Sequence, residues 1–452
     1  MKKISIVTTV ALVGWFAFYS INIFKQSVDA YLFGYPLVLM DATRLDMKNL
    51  YDGNSDNNEI HHLRELPNHE FRSVVRPNND TLYSVVWFDL REQPQVIAAP
   101  DMGDNYYVLP FMDAWTNVFS TIGTRTTGND AKQFVLVGPD WEEPIPETLH
   151  RINSPTNMVW MIARTEVKDL TEPQNVFDLQ DQFRITDLGG WKKDQWKTPP
   201  LERSMLPADS DKLSPPQWVA SLDANRFFSK FSGLLAQQYP TAKDLPALEN
   251  LKNLGIVAGE NFSVNPLKAW IMDHAIRIAH EKLVETSAHR QPNEDNWFVI
   301  RKGIGRYDQD YKTRAFVAMF GLGALPPEEA SYPNTRHDSS QQVLSGKHRY
   351  RIHWNNNELP PVGAFWSLTI YDSAGYMIEN SINRYRLGSN NELNWNADGS
   401  LNLQLQNAAP DTQDANWLPV PEGEFNMVLR MYWPDESFLQ GQWQLPVIER
   451  LP

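Results

Sequence analysis

Short strand patterns in two separate parts of the chain constrain the fold more than any other feature. Between about residues 71 and 164, runs rich in β-branched and aromatic residues are bounded by Pro, Gly, Asn or Asp, as β-strands are. No helical pattern separates these runs, so we expect an antiparallel sheet. The runs cover residues 83–90, 105–111, 133–137 and 158–163.

The last third of the chain has the same kind of pattern. Residues 401–406 alternate between Leu and a polar residue, which indicates a half-buried strand, and Asp398-Gly399 before them is typical of a hairpin turn. Regular strands with turn signals and no interleaved helices predict a sandwich or jelly roll. Another strand is predicted over residues 425–433, with one face formed by Asn426, Val428, Arg430 and Tyr432.

Helices are predicted between the two β regions. Ser214-Pro215 and Asn265-Pro266 each combine an N-cap residue with a first-turn proline. Residues 30–50 also have a helical pattern, which Pro36 should kink or restart, and residues 170–215 have the composition of a connection. The three predicted helices of the central region cover residues 217–238, 267–286 and 308–320.

The sequence therefore predicts an α+β, mainly β fold. It consists of two antiparallel β-sandwich or jelly-roll-like domains with a helical region between them. We expect an N-terminal β domain at 30–170, a connection and helical region at 171–325, and a C-terminal jelly-roll-like domain at 326–452.

Residues 1–29 are predicted to be a signal peptide or signal anchor. Lys2 and Lys3 precede an uncharged, apolar run over residues 4–24. This run is close to the ~20 residues that span a bilayer and longer than the usual signal core, which favours an uncleaved anchor over cleavage near residues 28–30. In either case the positive flank stays inside. We expect the body to lie in the periplasm or cell envelope, held at the inner membrane if the segment is retained.

Composition excludes several partners. A net charge of −14 argues against nucleic-acid binding, and the absence of Cys excludes disulfides, thiolate metal sites and Cys nucleophiles. The histidine spacings match no metal motif, and neither a P-loop nor a dinucleotide fingerprint is present, so no metal and no cofactor is predicted. Residues 52–57 resemble the start of a calcium loop, but Asn57 replaces the sixth-position Gly and Leu63 the final Glu, which favours a solvated loop.

Two polar clusters are candidates for a binding site. The first is the run from Arg76 to Ser84, at the entrance to a strand; its amides and charges suit sugar hydroxyls or a carboxylate, but they also suit a tight turn. The second is an acid, an indole and an amide at alternate positions, which serve either a ligand or a capped turn beside a core Trp. We predict that both clusters line one cavity, with a wall from the C-terminal domain. The predicted ligand-binding residues are Arg76, Asn78, Asn79, Asp80, Tyr83, Asp113, Trp115, Asn117, Arg384 and Tyr385.

Longer motifs in both parts resemble known families. The runs 76–84, 112–119 and 122–125 resemble domain-of-unknown-function family 1254. The runs that resemble family 1214 are 361–372, 383–385 and 416–419. The resemblance implies β-sandwich or jelly-roll domains, with similarity of the C-terminal part to carbohydrate-active folds, and it supplies no catalytic residues.

Two functions are compatible with these observations. The first is a cell-envelope protein that binds a carbohydrate or another small polar molecule, because aromatic platforms and hydrogen-bonding groups are plentiful. The alternative is an envelope hydrolase or lyase that uses a carboxylate pair from Asp80, Asp89, Asp113 and Glu379. Binding is favoured because no strongly perturbed acid or base can be identified from the sequence.

Overall fold

The computed structural model describes residues 2–50, 57–71, 76–169, 173–197, 213–288, 291–293, 295–411 and 415–452. Of residues 52–57, for which a solvated loop is predicted rather than a calcium site, only Asn57 lies among them. Two β-sandwiches and a helical layer make up the described structure, which confirms the α+β class and the two antiparallel β domains.

The N-terminal sandwich consists of two mainly antiparallel sheets. Its strands are β1 (His61–His62), β2 (Thr81–Asp89), β3 (Gln95–Ala99), β4 (Tyr107–Asp113), β5 (Val118–Gly123), β6 (Lys132–Val137), β7 (His150–Asn153), β8 (Met158–Glu166) and β9 (Arg184–Asp187). One sheet has the order β1-β2-β8-β4-β5 and the other β7-β6-β3-β9, with β6 and β7 parallel. The core between them is apolar, as the strand alternation predicts, and includes Phe88, Phe111, Phe134 and Met161.

The helices are α1 (Lys2–Leu50), α2 (Gln174–Gln180), α3 (Leu188–Trp191), α4 (Pro215–Ala220), α5 (Ala224–Leu235), α6 (Leu245–Leu254), α7 (Pro266–Ala288), α8 (Tyr311–Gly321) and α9 (Glu436–Leu439), with a 3₁₀ turn at Ala242–Asp244. The helices α1 and α4 to α8 form a layer on the outer face of the first sheet. Trp87 and Trp160, which stack at 4.8 Å on that face, belong to the core that this layer covers. Among the described residues, no helix is both long and apolar enough to cross a membrane.

The C-terminal sandwich also has two sheets. Its strands are β10 (Ala330–Ser331), β11 (Asn334–Thr335), β12 (Arg349–Trp354), β13 (Trp366–Asp372), β14 (Arg386–Gly388), β15 (Leu401–Gln406), β16 (Trp417–Pro419), β17 (Phe425–Tyr432) and β18 (Ile448–Leu451). The orders are β10-β17-β13-β14, with β11 on β17, and β16-β15-β12-β18. The predicted leucine alternation is confirmed, since Leu401, Leu403 and Leu405 are all buried between the sheets.

Three predicted boundaries need correction. The helix predicted at residues 30–50 is part of one long helix that continues through Pro36, because both sides of the proline are packed against the helical layer and the sheet. The predicted helix at 217–238 is interrupted, because Asp223 caps a new helix by accepting from the backbone N–H of Arg226 at 2.8 Å. The predicted connection at 170–215 contains β9, which pairs with β3, so the N-terminal sandwich extends beyond residue 170.

Candidate functional site

The two sandwiches meet along a polar sheet face. In β13, β14 and β17, alternate residues such as Leu368 and Leu429 enter the C-terminal core, and the residues between them face the N-terminal domain. We call this contact the domain seam; on the N-terminal side it contains residues 76–83 and 164–167. On the C-terminal side it contains Ser367, Thr369, Tyr371, Arg386, Asn426, Arg430 and Tyr432.

Asp80 lies at the centre of the seam and is fully buried. Its Oδ1 is 3.3 Å from Nε of Arg386, and its Oδ2 is 3.9 Å from Nε of Arg430 and 3.3 Å from the hydroxyl of Tyr432. Among the described residues, no other carboxylate lies within ion-pair distance of either arginine. We call Asp80, Arg386, Arg430 and Tyr432 the seam cluster.

Both arginines bind backbone of the other domain. Arg386 donates to the carbonyl oxygens of Asn79 at 2.8 Å and Val167 at 3.1 Å. Arg430 donates to the hydroxyl of Tyr371 at 2.7 Å and to the carbonyl of Pro77 at 3.2 Å. Burial by itself would lower the pKa of Arg430, but neighbouring Tyr371 and Asp80 raise it above its usual value. The Arg430 guanidinium is therefore charged, and it joins the two domains.

A third buried arginine adds positive charge nearby. Arg164 donates to the carbonyls of Ile162 at 3.2 Å and Gly323 at 2.7 Å, and its guanidinium lies 5.2 Å from the Tyr83 ring centre. None of its hydrogen-bond acceptors is a carboxylate. The other buried acid of the seam, Glu166, accepts instead from the Tyr106 N–H at 2.9 Å and from Asn390 at 2.7 Å.

Several buried polar atoms of the seam have no hydrogen-bond partner within the described chain. Native proteins pair nearly all such atoms, because an unpaired buried donor or acceptor costs about 1–3 kcal/mol. One of these atoms is a carboxylate oxygen, and the others belong to hydrogen-bond donors. Ser367 lies directly opposite Arg430 in the strand pairing. These atoms are Oδ1 of Asp80, Oγ of Ser367 and Nη1 of Arg386.

The first predicted cluster is located at this seam. Asn78 accepts from the Asp80 N–H at 2.7 Å and donates to the Thr81 hydroxyl at 2.6 Å, which fixes the turn into β2. Asn79 is buried and donates to the Pro67 carbonyl at 2.6 Å. Tyr83 packs under Arg164. These residues fix the turn into β2 and also lie at the seam. The tight-turn interpretation of this run therefore does not exclude the ligand interpretation.

The outer edge of the seam contains two more predicted residues. Arg76 is exposed and has a left-handed backbone with φ of 51°, held by its N–H bond to the Gly375 carbonyl at 2.7 Å. The Tyr385 hydroxyl lies 2.7 Å from Nδ1 of His69, across the two domains. Arg384 is different: it donates to the Trp417 carbonyl at 2.8 Å, inside its own domain, and it is not part of the seam wall.

The second predicted cluster is far from the first, which corrects the prediction of one cavity. Glu166 at one end of β8 pairs with Thr81, beside Asp80, whereas Val159 near its other end pairs with Asp113. Seven residues of strand separate those positions, or about 23 Å at ~3.3 Å per residue. We call Asp113, Trp115 and Asn117 the turn cluster.

The Asp113 carboxylate of the turn cluster accepts hydrogen bonds from its own turn. Asp113 accepts from the backbone N–H groups of Trp115 at 2.9 Å and Asn117 at 2.8 Å, and from the Asn117 amide at 3.0 Å. Burial raises the pKa of Asp113 to about 6. The Trp115 ring packs 4.9 Å from that of Phe33 in the helical layer. This cluster is the capped turn beside a core Trp, the other interpretation that the sequence allows.

The predicted carboxylate pair is not assembled by the four candidate acids. Asp89 pairs with Arg91 at the opposite end of β2 from Asp80, and Glu379 is exposed. Asp89 and Asp113 flank the same end of β8, but they lie opposite Met158 and Val159, which face opposite sides of the sheet. Among the described residues, no group of three His, Asp or Glu side chains is arranged to hold a metal ion.

Sequence reasoning missed the arginines that make the seam, namely Arg164, Arg386 and Arg430. The predicted face of residues 425–433 contained the signal, because an arginine that shares a strand face with Val and Tyr is expected to be buried and paired. The sequence also did not predict a buried ion pair of Glu329. This side chain accepts hydrogen bonds from Arg125 at 2.7 Å and from the Thr121 hydroxyl at 3.0 Å.

Comparisons with known proteins agree with this architecture. Residues 57–187 match the family described as "Protein of unknown function (DUF1254)", and residues 329–436 match "Protein of unknown function (DUF1214)". The two matches follow one another in the order that the motifs predicted. No curated protein matches the chain.

Two solved structures are similar over nearly the whole length. The VPA0106 protein of Vibrio parahaemolyticus has 24% identity and a TM-score of 0.69, with 95% of this chain and 100% of that chain covered. An uncharacterised protein from Burkholderia cenocepacia has 12% identity and a TM-score of 0.45, with 98% of each chain covered. The first of these supports the fold.

Proposed function

We propose that this protein binds a small anionic molecule at the domain seam. The observation that carries the proposal is the imbalance of buried charge and hydrogen bonding there. Within the described part of the chain, three buried guanidinium groups, those of Arg164, Arg386 and Arg430, have one carboxylate, Asp80, within ion-pair distance of any of them. Buried cations are costly without counter-charges, and guanidinium groups bind carboxylates and phosphates well.

The unpaired atoms narrow the chemistry of the ligand. Nη1 of Arg386 and the hydroxyl of Ser367 can donate to an anionic group, whereas Oδ1 of Asp80, which already lies 3.3 Å from Nε of Arg386, can only accept. A ligand with both an anionic group and a hydroxyl would satisfy both kinds of atom. Hydroxy acids and acidic sugars have this combination, and they are the part of the predicted polar or glycan ligand class that best fits the seam.

The location that we propose is the cell envelope. The support is Lys2 and Lys3 ahead of the apolar run at residues 4–24. Reporters that are active only in the periplasm or only in the cytoplasm, fused after Pro452, test this. Activity of the cytoplasmic reporter alone contradicts it.

One substitution tests binding without breaking an existing bond. Ser367→Ala removes a hydroxyl that has no partner within the described chain and that lies opposite Arg430 on the seam face. We expect calorimetric affinity for a panel of hydroxy acids, sugar acids and phosphate to fall roughly 3- to 10-fold for the best binder, while stability stays the same or rises. Thr116→Ala is the control, because it removes an equally buried, unpaired hydroxyl beside the turn cluster.

Neutral sugars of matched size complete the panel. If none of the anions binds, or if Ser367→Ala binds the best anion as tightly as the parent does, the seam is a structural contact between domains and the proposal is wrong.

A further inference from the structure

The seam has a second cationic position at its outer edge. Arg76 is exposed, whereas Arg386 and Arg430 are buried. The backbone connects the two positions directly, since the Arg76 carbonyl accepts from Nη2 of Arg430 at 3.1 Å. The Arg76 side chain therefore lies close to the deep arginines, and burial together with the charge of Arg430 lowers the pKa of its guanidinium, although the residue as a whole is exposed to solvent.

The Arg76 guanidinium has little to hold it within the chain. Its one side-chain hydrogen bond runs from Nε to the Asn426 amide oxygen at 3.4 Å, near the limit for such a bond. Among the described residues, no carboxylate lies within ion-pair distance of it, although Asp80 follows four residues later. This leaves the planar guanidinium end available for a partner from solution.

The backbone at Arg76 is strained, and both domains keep it so. A φ of 51° is unusual for a side chain with a Cβ and costs of the order of 1 kcal/mol or more. The Gly375 carbonyl holds the Arg76 N–H at 2.7 Å, and Arg430 holds its carbonyl. Asn or Gly would fit this conformation with less strain, so an arginine here is consistent with a role for its side chain.

We infer that the ligand of the seam is a dianion, with one anionic group at the buried arginines and a second at Arg76. This inference rests on the proposed function and adds the ligand class. Arg76 would then determine specificity: it distinguishes molecules with two separated anionic groups from molecules with one. Asp80 would remain the internal counter-charge of Arg386 and Arg430.

The test uses diacids and their own monomethyl esters, which have nearly the same shape but one charge less. Succinate, glutarate and adipate are titrated calorimetrically into the full chain at fixed ionic strength, beside the monomethyl ester of each. We expect the best diacid to bind at least roughly tenfold more tightly than its ester, the scale of one charge-assisted hydrogen bond. Arg76→Gln should remove that preference and leave the affinity for the ester unchanged.

Matched variants keep the outcomes separate. Arg91→Gln is the control, because Arg91 is an exposed arginine at the other end of β2 and should leave the preference intact. Arg76→Asn suits the left-handed backbone and replaces Arg76→Gln if that variant folds poorly. If diacid and ester bind the parent equally, or if Arg76→Gln weakens both alike, the dianion inference is overturned while anion binding stands. If neither form of any acid binds and no anion of the earlier panel does, the proposed function itself fails.

Discussion

The seam cluster and the turn cluster look alike in the sequence and differ in the fold. Each has a buried aspartate beside amides and aromatic residues. Among the described residues, every hydrogen-bond partner of the Asp113 side chain lies within four residues of it, whereas the Asp80 side chain pairs with Arg386 and Arg430, which are about 300 residues or more away in sequence. A locally satisfied acid fixes a turn. An acid that is paired across two domains depends on the domain contact for the geometry of its cluster. Buried polar atoms without a partner in the described part of the chain occur beside both acids, at Nε1 of Trp115 in the turn cluster and at Nη1 of Arg386 in the seam cluster.

The largest difference between the clusters should appear on removal of the acid at the seam. Asp80→Ala leaves two buried guanidinium groups without their counter-charge, and we expect a loss of about 3–5 kcal/mol in the free energy of unfolding. Urea denaturation measures it. Asp89→Ala on the same strand is the control, because its pair with the exposed Arg91 should contribute at most about 1 kcal/mol. Equal losses in the two variants would mean that Asp80 is not an essential counter-charge.

The turn cluster should make the free energy of unfolding depend on pH. The folded-state pKa of Asp113 is raised by burial to about 6, above its ordinary value of 3.8. The folded chain therefore holds the proton more tightly than the unfolded chain does, and Asp113 makes stability fall as pH rises from about 4 to about 6. The difference amounts to about 3 kcal/mol at ~1.36 kcal/mol per pKa unit.

Comparison with Asp113→Asn isolates this effect. Because Asn does not ionise, the variant should gain about 2 kcal/mol relative to the parent between pH 4 and pH 7, whatever it loses from the altered turn, since the unfolded carboxyl is already partly ionised at pH 4. Urea denaturation at both pH values measures the change. A stability difference that is the same at pH 4 and pH 7 would show that Asp113 titrates normally.

Asn117→Ala tests whether the turn cluster is isolated from the seam. The change removes the amide bond to Asp113 at 3.0 Å, and we expect a cost of about 1–2 kcal/mol in the free energy of unfolding. Affinity for the best anion should remain that of the parent. A loss of affinity with the turn variant would connect the two ends of β8 and restore one site.

The strands and the turn cluster could be predicted from the sequence because their causes are local. Alternation places Leu401, Leu403 and Leu405 in the core, and the spacing from Asp113 to Asn117 allows a side chain to cap its own turn. The seam could not be predicted in the same way. Arg164 and Arg386 become neighbours of residues 76–83 through the packing of two sandwiches, and no sequence spacing encodes that contact. For the seam, the sequence contained one indication, because Arg430 shares a predicted strand face with Val428 and Tyr432.

The smallest expected effect separates two neighbours that the sequence groups together. Tyr385 reaches across the seam to His69, with its hydroxyl 2.7 Å from Nδ1, whereas Arg384 binds the Trp417 carbonyl within the C-terminal sandwich. Tyr385→Phe should cost about 0.5–1.5 kcal/mol, as one partly exposed hydrogen bond does. Because the lost bond joins the domains, hydrogen exchange in residues 57–71 should also quicken. Arg384→Gln is the matched control and should leave exchange in those residues unchanged. If both variants change hydrogen exchange in residues 57–71 equally, the Tyr385 bond does not hold the two domains together. The proposed site is then bounded by Tyr371 and Asn426.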